Sequence, residues 1–314
     1  MILRVVVIVG PTASGKTRLG VEMAHRLGSE IVSADSRQVY RGLDIGTGKD
    51  LEEYASVDPP VPYHLIDIAD PEETYTLFQY QEDCHCLFDD LAKRAPFADG
   101  AVPVLMVGGS GLYVEAVVRA YRLADVPMDR DFRASMERLS LTTLVDRLRS
   151  EAPEIAAETD LSNARRVIRG LEIAEFAKTS PVRFSTPPEA MIRYTVLGVK
   201  TCRAELQRRI GRRLRHRLER GMVNEVQFLL DRGVPRWRLD ELGLEYREVA
   251  AFLDGEKDFE QMAADLESAI RHFAKRQRTW FRGMERRGVP IQWISADDVE
   301  IAVAAAFSSP PEAG

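Results

Sequence analysis

The junction of "LRVVVIV" (residues 3–9) with "GPTASGKT" (10–17) constrains this chain more than any other feature. A short β-branched run without polar alternation reads as a strand buried on both faces, and it feeds a glycine loop that opens a helix. Strand, loop and helix in that order begin a parallel sheet covered by helices, with ligands at the carboxyl ends of its strands. The spacing Gly10-x-x-x-x-Gly15-Lys16-Thr17 is that of a phosphate-cradling loop. Its glycines let backbone N–H groups converge on phosphate oxygens at a helix N-terminus. Lys16 adds a point charge, and the Thr17 hydroxyl is the expected ligand of a Mg²⁺ ion. Gly10, Pro11, Thr12, Ala13, Ser14, Gly15, Lys16 and Thr17 are therefore the candidate phosphate-binding set.

Later segments repeat the theme. "EIVSA" (30–34) and "PVLMVGG" (103–109) are further buried strands, "HLIDIADP" (64–71) lies between them, and "RYTVLGV" (193–199) and "VPIQWI" (289–294) follow. From about Arg119 the pattern changes. "DVPMDRDFRASMERLS", "TTLVDRLRSEAPEIAAET" and "LSNARRVIRGLEIAEFAK" are charge-rich and helix-like with no strand signal, and "TSPVRFSTPPEA" closes them as a loop. The economical reading is α/β. Residues 1–118 and 193–300 form a doubly wound parallel sheet core with a helical C-terminal region, and 119–192 form an inserted all-helical domain. Helices are expected at 203–220 and 222–232, closed by Gly221 and Gly233, and from about Phe259 to Met284. Residues 301–314, ending "SSPPEAG", are expected to be a disordered tail. There are no internal repeats.

Composition narrows the compartment and the partner. Three cysteines in 314 residues give no disulfide framework, and Cys84-His85-Cys86 with one distant Cys lacks the paired spacing of a zinc site. No apolar run approaches the ~20 residues of a membrane span, and "VVVIV" leads straight into the loop without a cleavage region. A cytoplasmic monomer is expected. Although the net charge is −6, positive charge is concentrated in "RAELQRRIGRRLRHRLERG" (203–221) and "RHFAKRQRTWFRGMERRG" (271–288). That is the electrostatic footprint of a phosphate-rich partner.

A phosphate loop alone suggests a triphosphatase or kinase, which would also need a carboxylate for the metal and a phosphoryl-acceptor site. Asp67 and Asp35 are both available, and residue type does not choose between them. The residues after Asp35 do. "SADSRQVYRGLDIGTGK" (33–49), taken with the loop, resembles the tRNA dimethylallyltransferases, also called tRNA isopentenyltransferases. "HLIDIADP", "VGGSGLY" (107–113), "RRVIRGLEI" (165–173), "RRIGRRLRHRLERGMVNEV" (208–226) and "FAKRQRTWFRGMER" (273–286) continue the likeness in order over about residues 5–294.

The resemblance implies transfer of a dimethylallyl group from its diphosphate to N6 of the tRNA adenosine immediately 3′ of the anticodon. The loop then holds the donor's diphosphate as a leaving group, and no phosphoryl group moves. Asp35 is implied as general base, with Ser36, Arg37 and Gln38 against the nucleotide. A diphosphate-contacting arginine is implied on the 203–220 helix. Arg213 is the first choice and Arg209, one turn away, the second. Leu206, Ile210, Leu214 and Leu218 would be that helix's core face. Arg165, Arg166, Val167, Ile168 and Arg169 match a segment that contacts the anticodon stem-loop, and Ser110 and Arg133 match two more RNA-contacting positions. Departures are "GSGLY" for "GTGLY", "GTGKD" for "GTAKP" and "LGLEYRE" for "IGYKE", which suggest a divergent branch; no zinc finger of the kind found C-terminally in eukaryotic members is expected. The rival readings are a transferase acting on free adenine nucleotides, a small-molecule kinase and a non-catalytic RNA-binding protein. The inserted domain and the basic helices weigh against the first.

Overall fold

The computed structural model describes residues 1–94 and 96–307. The chain opens with β1 (Ile2–Val9), α1 (Lys16–Leu27), β2 (Ile31–Ser33), α2 (Leu51–Tyr54), β3 (Tyr63–His64), α3 (Leu77–Ala92), β4 (Val104–Gly108) and α4 (Gly111–Val118). A second stretch holds β5 (Ala124–Asp125), α5 (Arg130–Met136), α6 (Leu141–Glu151), α7 (Pro153–Glu158), α8 (Ala164–Ala177) and β6 (Arg183–Phe184). The chain continues with β7 (Met191–Lys200), α9 (Arg203–Glu219), α10 (Met222–Asp231), α11 (Arg236–Leu242), α12 (Leu244–Leu253), α13 (Phe259–Arg286), β8 (Ile291–Ser295) and α14 (Val299–Phe307).

Six strands form one parallel sheet in the order β3-β2-β4-β1-β7-β8. β1 is central, in register with β4 from Val5↔Val104 to Val9↔Gly108 and with β7 from Ile2↔Met191 to Val9↔Gly198. Covered on both faces, Val5 to Val9 are each 1% exposed or less, which explains their unbroken apolar run. The carboxyl ends of β1, β2 and β4 place the glycine loop, Asp35 and Ser110 at one edge of the sheet. Chain crossings to either side of β1 make that edge a topological switch point.

Two compact units divide the chain. One comprises Met1–Ala120 with the segment from Pro187 onward, and the other Tyr121–Thr186. The second unit is narrower than the expected 119–192, because β7 begins at Met191. Nor is it wholly helical. β5 and β6 pair antiparallel through Ala124↔Phe184 and Asp125↔Arg183. Arg183 bridges to Asp125 at 3.1 Å, and the Arg122 guanidinium lies 3.7 Å over the Phe184 ring. Two-residue strands are too short for any alternation to register in sequence.

The same unit has its own small core of Met136, Leu144, Leu148, Ala156, Val167, Ile168 and Leu171. Beside it, the buried Glu172 takes a forked pair of hydrogen bonds from Arg133 at 2.9 and 2.7 Å, one from the Asp129 backbone N–H at 2.8 Å, and one from Arg169. Burial alone would raise the Glu172 pKa, but these donors outweigh it and hold the carboxyl below its usual range.

The C-terminal helices pack on one another by their apolar stripes. α9 buries Leu206, Ile210 and Leu214, with Leu218 partly buried beside them. α13, capped by the Asp258 carboxylate on the Gln261 N–H at 2.8 Å, buries Met262, Leu266, Ile270, Ala274, Gln277, Phe281 and Met284. The expectation of a disordered tail from 301 needs correction. Residues 301–307 belong to α14, whose Ala302, Ala305 and Ala306 are buried in the cluster that contains Leu19, Met23 and Val199. Residues 308–314 lie outside the described residues.

Candidate active site

A cleft of about 1250 Å³ opens at the carboxyl edge of the sheet. The glycine loop forms its floor. Gly15 has φ +91°, a conformation open to glycine at little cost, and it delivers the chain into α1. The loop is braced from outside. Gln277 on α13 accepts the Thr12 N–H at 2.8 Å and donates to the Gly109 carbonyl at 2.9 Å, so a single buried amide joins the loops after β1 and β4. The Ser14 hydroxyl is buried with no hydrogen-bond partner among the described residues. Burial of the Lys16 ammonium lowers its pKa to about 8; the Asp35 charge is the strongest influence in the other direction, followed by the unfavourable charge of Arg213.

α9 supplies cations from the side. Arg209 donates to the Ser14 carbonyl at 3.4 Å, and Arg213 to Thr12 Oγ1 at 3.4 Å and the Gly48 carbonyl at 3.3 Å. Spaced one turn apart, both reach the glycine loop as the sequence suggests. Arg209 is also paired with Glu205 at 2.6 Å and Arg213 with Asp50.

Asp35 stands across the cleft, at the end of β2. One carboxylate oxygen accepts the Arg37 backbone N–H at 3.1 Å, a local turn that fixes the side chain. The segment is tied to the β4 loop, because Ser110 Oγ accepts the Ser36 N–H at 2.9 Å and its hydroxyl lies 3.2 Å from Ser36 Oγ. Arg37 is paired with Glu245 at 3.4 Å and sits 5.3 Å from the Phe273 ring centre. Gln38 donates to the Gly48 carbonyl at 3.1 Å. Asp67, the other carboxylate considered, is paired with the buried Lys49 and does not line the cleft.

The geometry is matched by sequence relationships that run the length of the chain. The family described as IPP transferase matches residues 38–284, and that described as isopentenyl transferase matches residues 3–57. The chain is 49% identical to tRNA dimethylallyltransferase 2 of Syntrophotalea carbinolica over 94% of its own length and 95% of that protein. It is 46% identical to tRNA dimethylallyltransferase 1 of Porphyromonas gingivalis over 93% of each. The chain belongs to the tRNA dimethylallyltransferase family. A solved tRNA isopentenylpyrophosphate transferase of Bacillus halodurans shares the fold with a TM-score of 0.65 at 34% identity, over 96% of this chain and 94% of that one. A eukaryotic dimethylallyltransferase acting on tRNA aligns at 22% identity with a TM-score of 0.68, over 95% and 75% of the respective chains.

Membership of this prenyltransferase family makes the placement of the expected RNA residues informative. Arg165 and Arg166 are exposed at the start of α8, and Arg166 pairs with Asp160 at 3.1 Å. Val167 and Ile168, 0% and 5% exposed, face the core of their unit, which removes their side chains from any RNA surface. Arg169 is engaged by Glu172 and by the Ala124 and Val126 carbonyls at 3.2 and 2.9 Å, and Arg133 by Glu172. Their donors are committed within the unit.

Several cleft-shaping residues were not singled out from sequence. Gln277 is one. Glu225 is another: its carboxylate accepts the Asp44, Ile45 and Gly46 N–H groups at 3.0, 2.7 and 2.9 Å and the Tyr246 hydroxyl at 2.7 Å, which pins the loop carrying Gly48 and Asp50. A polar residue on an otherwise apolar helical stripe was the available signal for Gln277.

Proposed function

We propose that this enzyme transfers the dimethylallyl group from dimethylallyl diphosphate to N6 of the tRNA adenosine immediately 3′ of the anticodon, releasing diphosphate. The observation that carries the reading is the meeting of two functions in one cleft. The glycine loop and two arginines make an anion cradle, and Asp35 faces it closely enough that its charge is the main one favouring the Lys16 ammonium.

The chemistry asks for that arrangement. Adenine's exocyclic amine is a poor nucleophile because its lone pair is delocalised into the ring. An allylic carbon, in contrast, can develop cationic character as its C–O bond to diphosphate breaks. The loop amides, Lys16, Arg209 and Arg213 stabilise the charge that accumulates on the departing diphosphate. Asp35 hydrogen-bonds N6–H and takes the proton as the C–N bond forms; one of its oxygens is held by Arg37 N–H, which leaves the other for the amine. The target base is turned out of its stack to reach Asp35, against the Ser36-Arg37-Gln38 segment.

Thr17 lines the cleft, and among the described residues no group of three acidic, histidine or cysteine side chains is placed to hold a metal ion, so diphosphate and water would complete a hard cation's shell. The Thr17 hydroxyl would hold Mg²⁺, which when bound neutralises part of the diphosphate charge. In the helical unit, Arg165 and Arg166 are free to contact RNA phosphates, whereas Arg133 and Arg169 hold that surface in shape. Ser110 acts through Ser36.

Purified protein given Mg²⁺, dimethylallyl diphosphate and unmodified tRNA, with AMP and ATP as competing acceptors, tests the reading. A five-carbon mass gain on the adenosine beside the anticodon is expected. Prenylation of AMP in preference to tRNA would overturn it in favour of a free-nucleotide substrate.

A further inference from the structure

Arg217 follows Arg209 and Arg213 at four-residue spacing on α9, so the three guanidiniums form one row along the helix. Its side chain is 10% exposed. Nη1 donates to the Gly46 carbonyl at 3.4 Å and lies 3.9 Å from Glu245, while Nε and Nη2 are buried with no hydrogen-bond partner among the described residues. Charged donors buried without acceptors are costly, and such a group calls for an explanation. Burial, reinforced by the charge of Arg213, lowers the guanidinium's pKa to about 10. An anion at the free nitrogens would relieve both effects.

Arg213 and Arg217 converge on one point. A Cβ built on Gly48 would stand 1.3 Å from Arg217 Nη2 and 2.6 Å from Arg213 Nη2, so only glycine leaves room for the pair. Its φ of +63° is also one that side chains rarely adopt. Gly48 belongs to "GTGKD", one of the segments that depart from the commoner family pattern, and Glu245 belongs to another, "LGLEYRE". Both departures therefore meet at Arg217. All of these residues line the cleft, and Arg213 itself reaches Thr12 of the glycine loop.

We propose that Arg217 donates through Nε and Nη2 to a phosphate oxygen of the donor's diphosphate, extending the cradle one turn along α9 beyond Arg213. This rests on the reading of the glycine loop as a diphosphate site. Guanidinium suits the role because its fork presents two parallel N–H donors to an oxyanion. Nε and Nη2 are shielded where they stand, so a phosphate oxygen reaches them once the guanidinium turns from Gly48 towards Arg213 and the cleft.

Calorimetric titration of the full chain with magnesium pyrophosphate tests the assignment. Arg217→Met should bind pyrophosphate at least tenfold more weakly and raise KM for dimethylallyl diphosphate similarly, with tRNA affinity within twofold of wild type. Gly48→Ala, whose Cβ would crowd both Arg217 and Arg213, should lose at least as much. Arg217→Lys, which keeps the charge and loses the fork, should fall between. Unchanged pyrophosphate affinity in Arg217→Met, or a loss confined to tRNA affinity, would overturn the proposal alone. A wild-type protein that binds no pyrophosphate would overturn it together with the diphosphate reading.

Discussion

Gln277 accepts the Thr12 backbone N–H at 2.8 Å, which ties a helix near the end of the chain to the phosphate loop near its start. One loop amide is thereby committed to protein, and the remaining amides are aimed by a buried brace that also holds Gly109. The brace links the C-terminal helices directly to the chemistry, because the same contacts that bury α13 set the shape of the anion cradle.

Replacing Gln277 with Ala leaves the buried Gly109 carbonyl and the part-buried Thr12 N–H unpaired, the latter within reach of water. A buried group left so costs about 1–3 kcal/mol. Denaturant unfolding of Gln277→Ala should show a loss in that range, and KM for the prenyl donor should rise more than KM for tRNA.

Asp35→Asn keeps the acceptor for the Arg37 N–H but cannot take a proton. Loss of a general base costs about 10²–10⁴ in rate. Single-turnover kinetics should show that fall in the transfer step, with tRNA affinity unchanged in filter binding. A fall of less than about tenfold would remove Asp35 from the base role.

The two arginines of α8 should behave differently, although they sit three residues apart in one motif. Arg166 is exposed and lightly paired, so Arg166→Ala should weaken tRNA binding and reduce the salt slope by about one phosphate contact. Arg169 holds the buried Glu172 and two carbonyls, and because the Arg133 fork still pairs Glu172, Arg169→Ala should destabilise the helical unit by about 1–3 kcal/mol. Salt titrations of tRNA affinity, compared with thermal melts, separate the two.

Lys16 makes donor binding pH-dependent. Its folded-state pKa of about 8 lies below the usual 10.5, so in the free enzyme the ammonium is lost as pH rises through about 8. A diphosphate stabilises the charged form, so binding between about pH 8 and 10.5 should take up as much as about one proton. Calorimetry at pH 9 in buffers of different ionisation enthalpy reads that uptake directly. Stability of the free enzyme should rise over the same window, because there the unfolded chain holds a proton that the folded chain has released.

The sequence made the site's floor legible and left its walls obscure, for physical reasons. β1 and the glycine loop were readable because a doubly buried strand and a phosphate turn each demand particular residues at fixed offsets. Arg209 and Arg213 were readable because the family resemblance put a diphosphate-contacting arginine on this helix and one turn of spacing brings the two together. Val167 and Ile168 were misplaced when a motif was carried over whole: helical periodicity puts them with Leu171 and Ala174 on the buried face of α8. Gln277, Glu225 and Arg217 each make at least one contact 171 or more positions away, which no local pattern encodes.

The central claim is that the glycine loop grips a diphosphate leaving group while Asp35 receives the N6 proton. A crystal structure with a non-cleavable thiolo analogue of dimethylallyl diphosphate and an anticodon stem-loop tests it most directly. The account predicts diphosphate oxygens on the residue 12–17 amides and Arg213, with N6 of the extruded adenine in hydrogen-bond reach of Asp35. A diphosphate bound elsewhere, or an adenine whose N6 points away from Asp35, would contradict it.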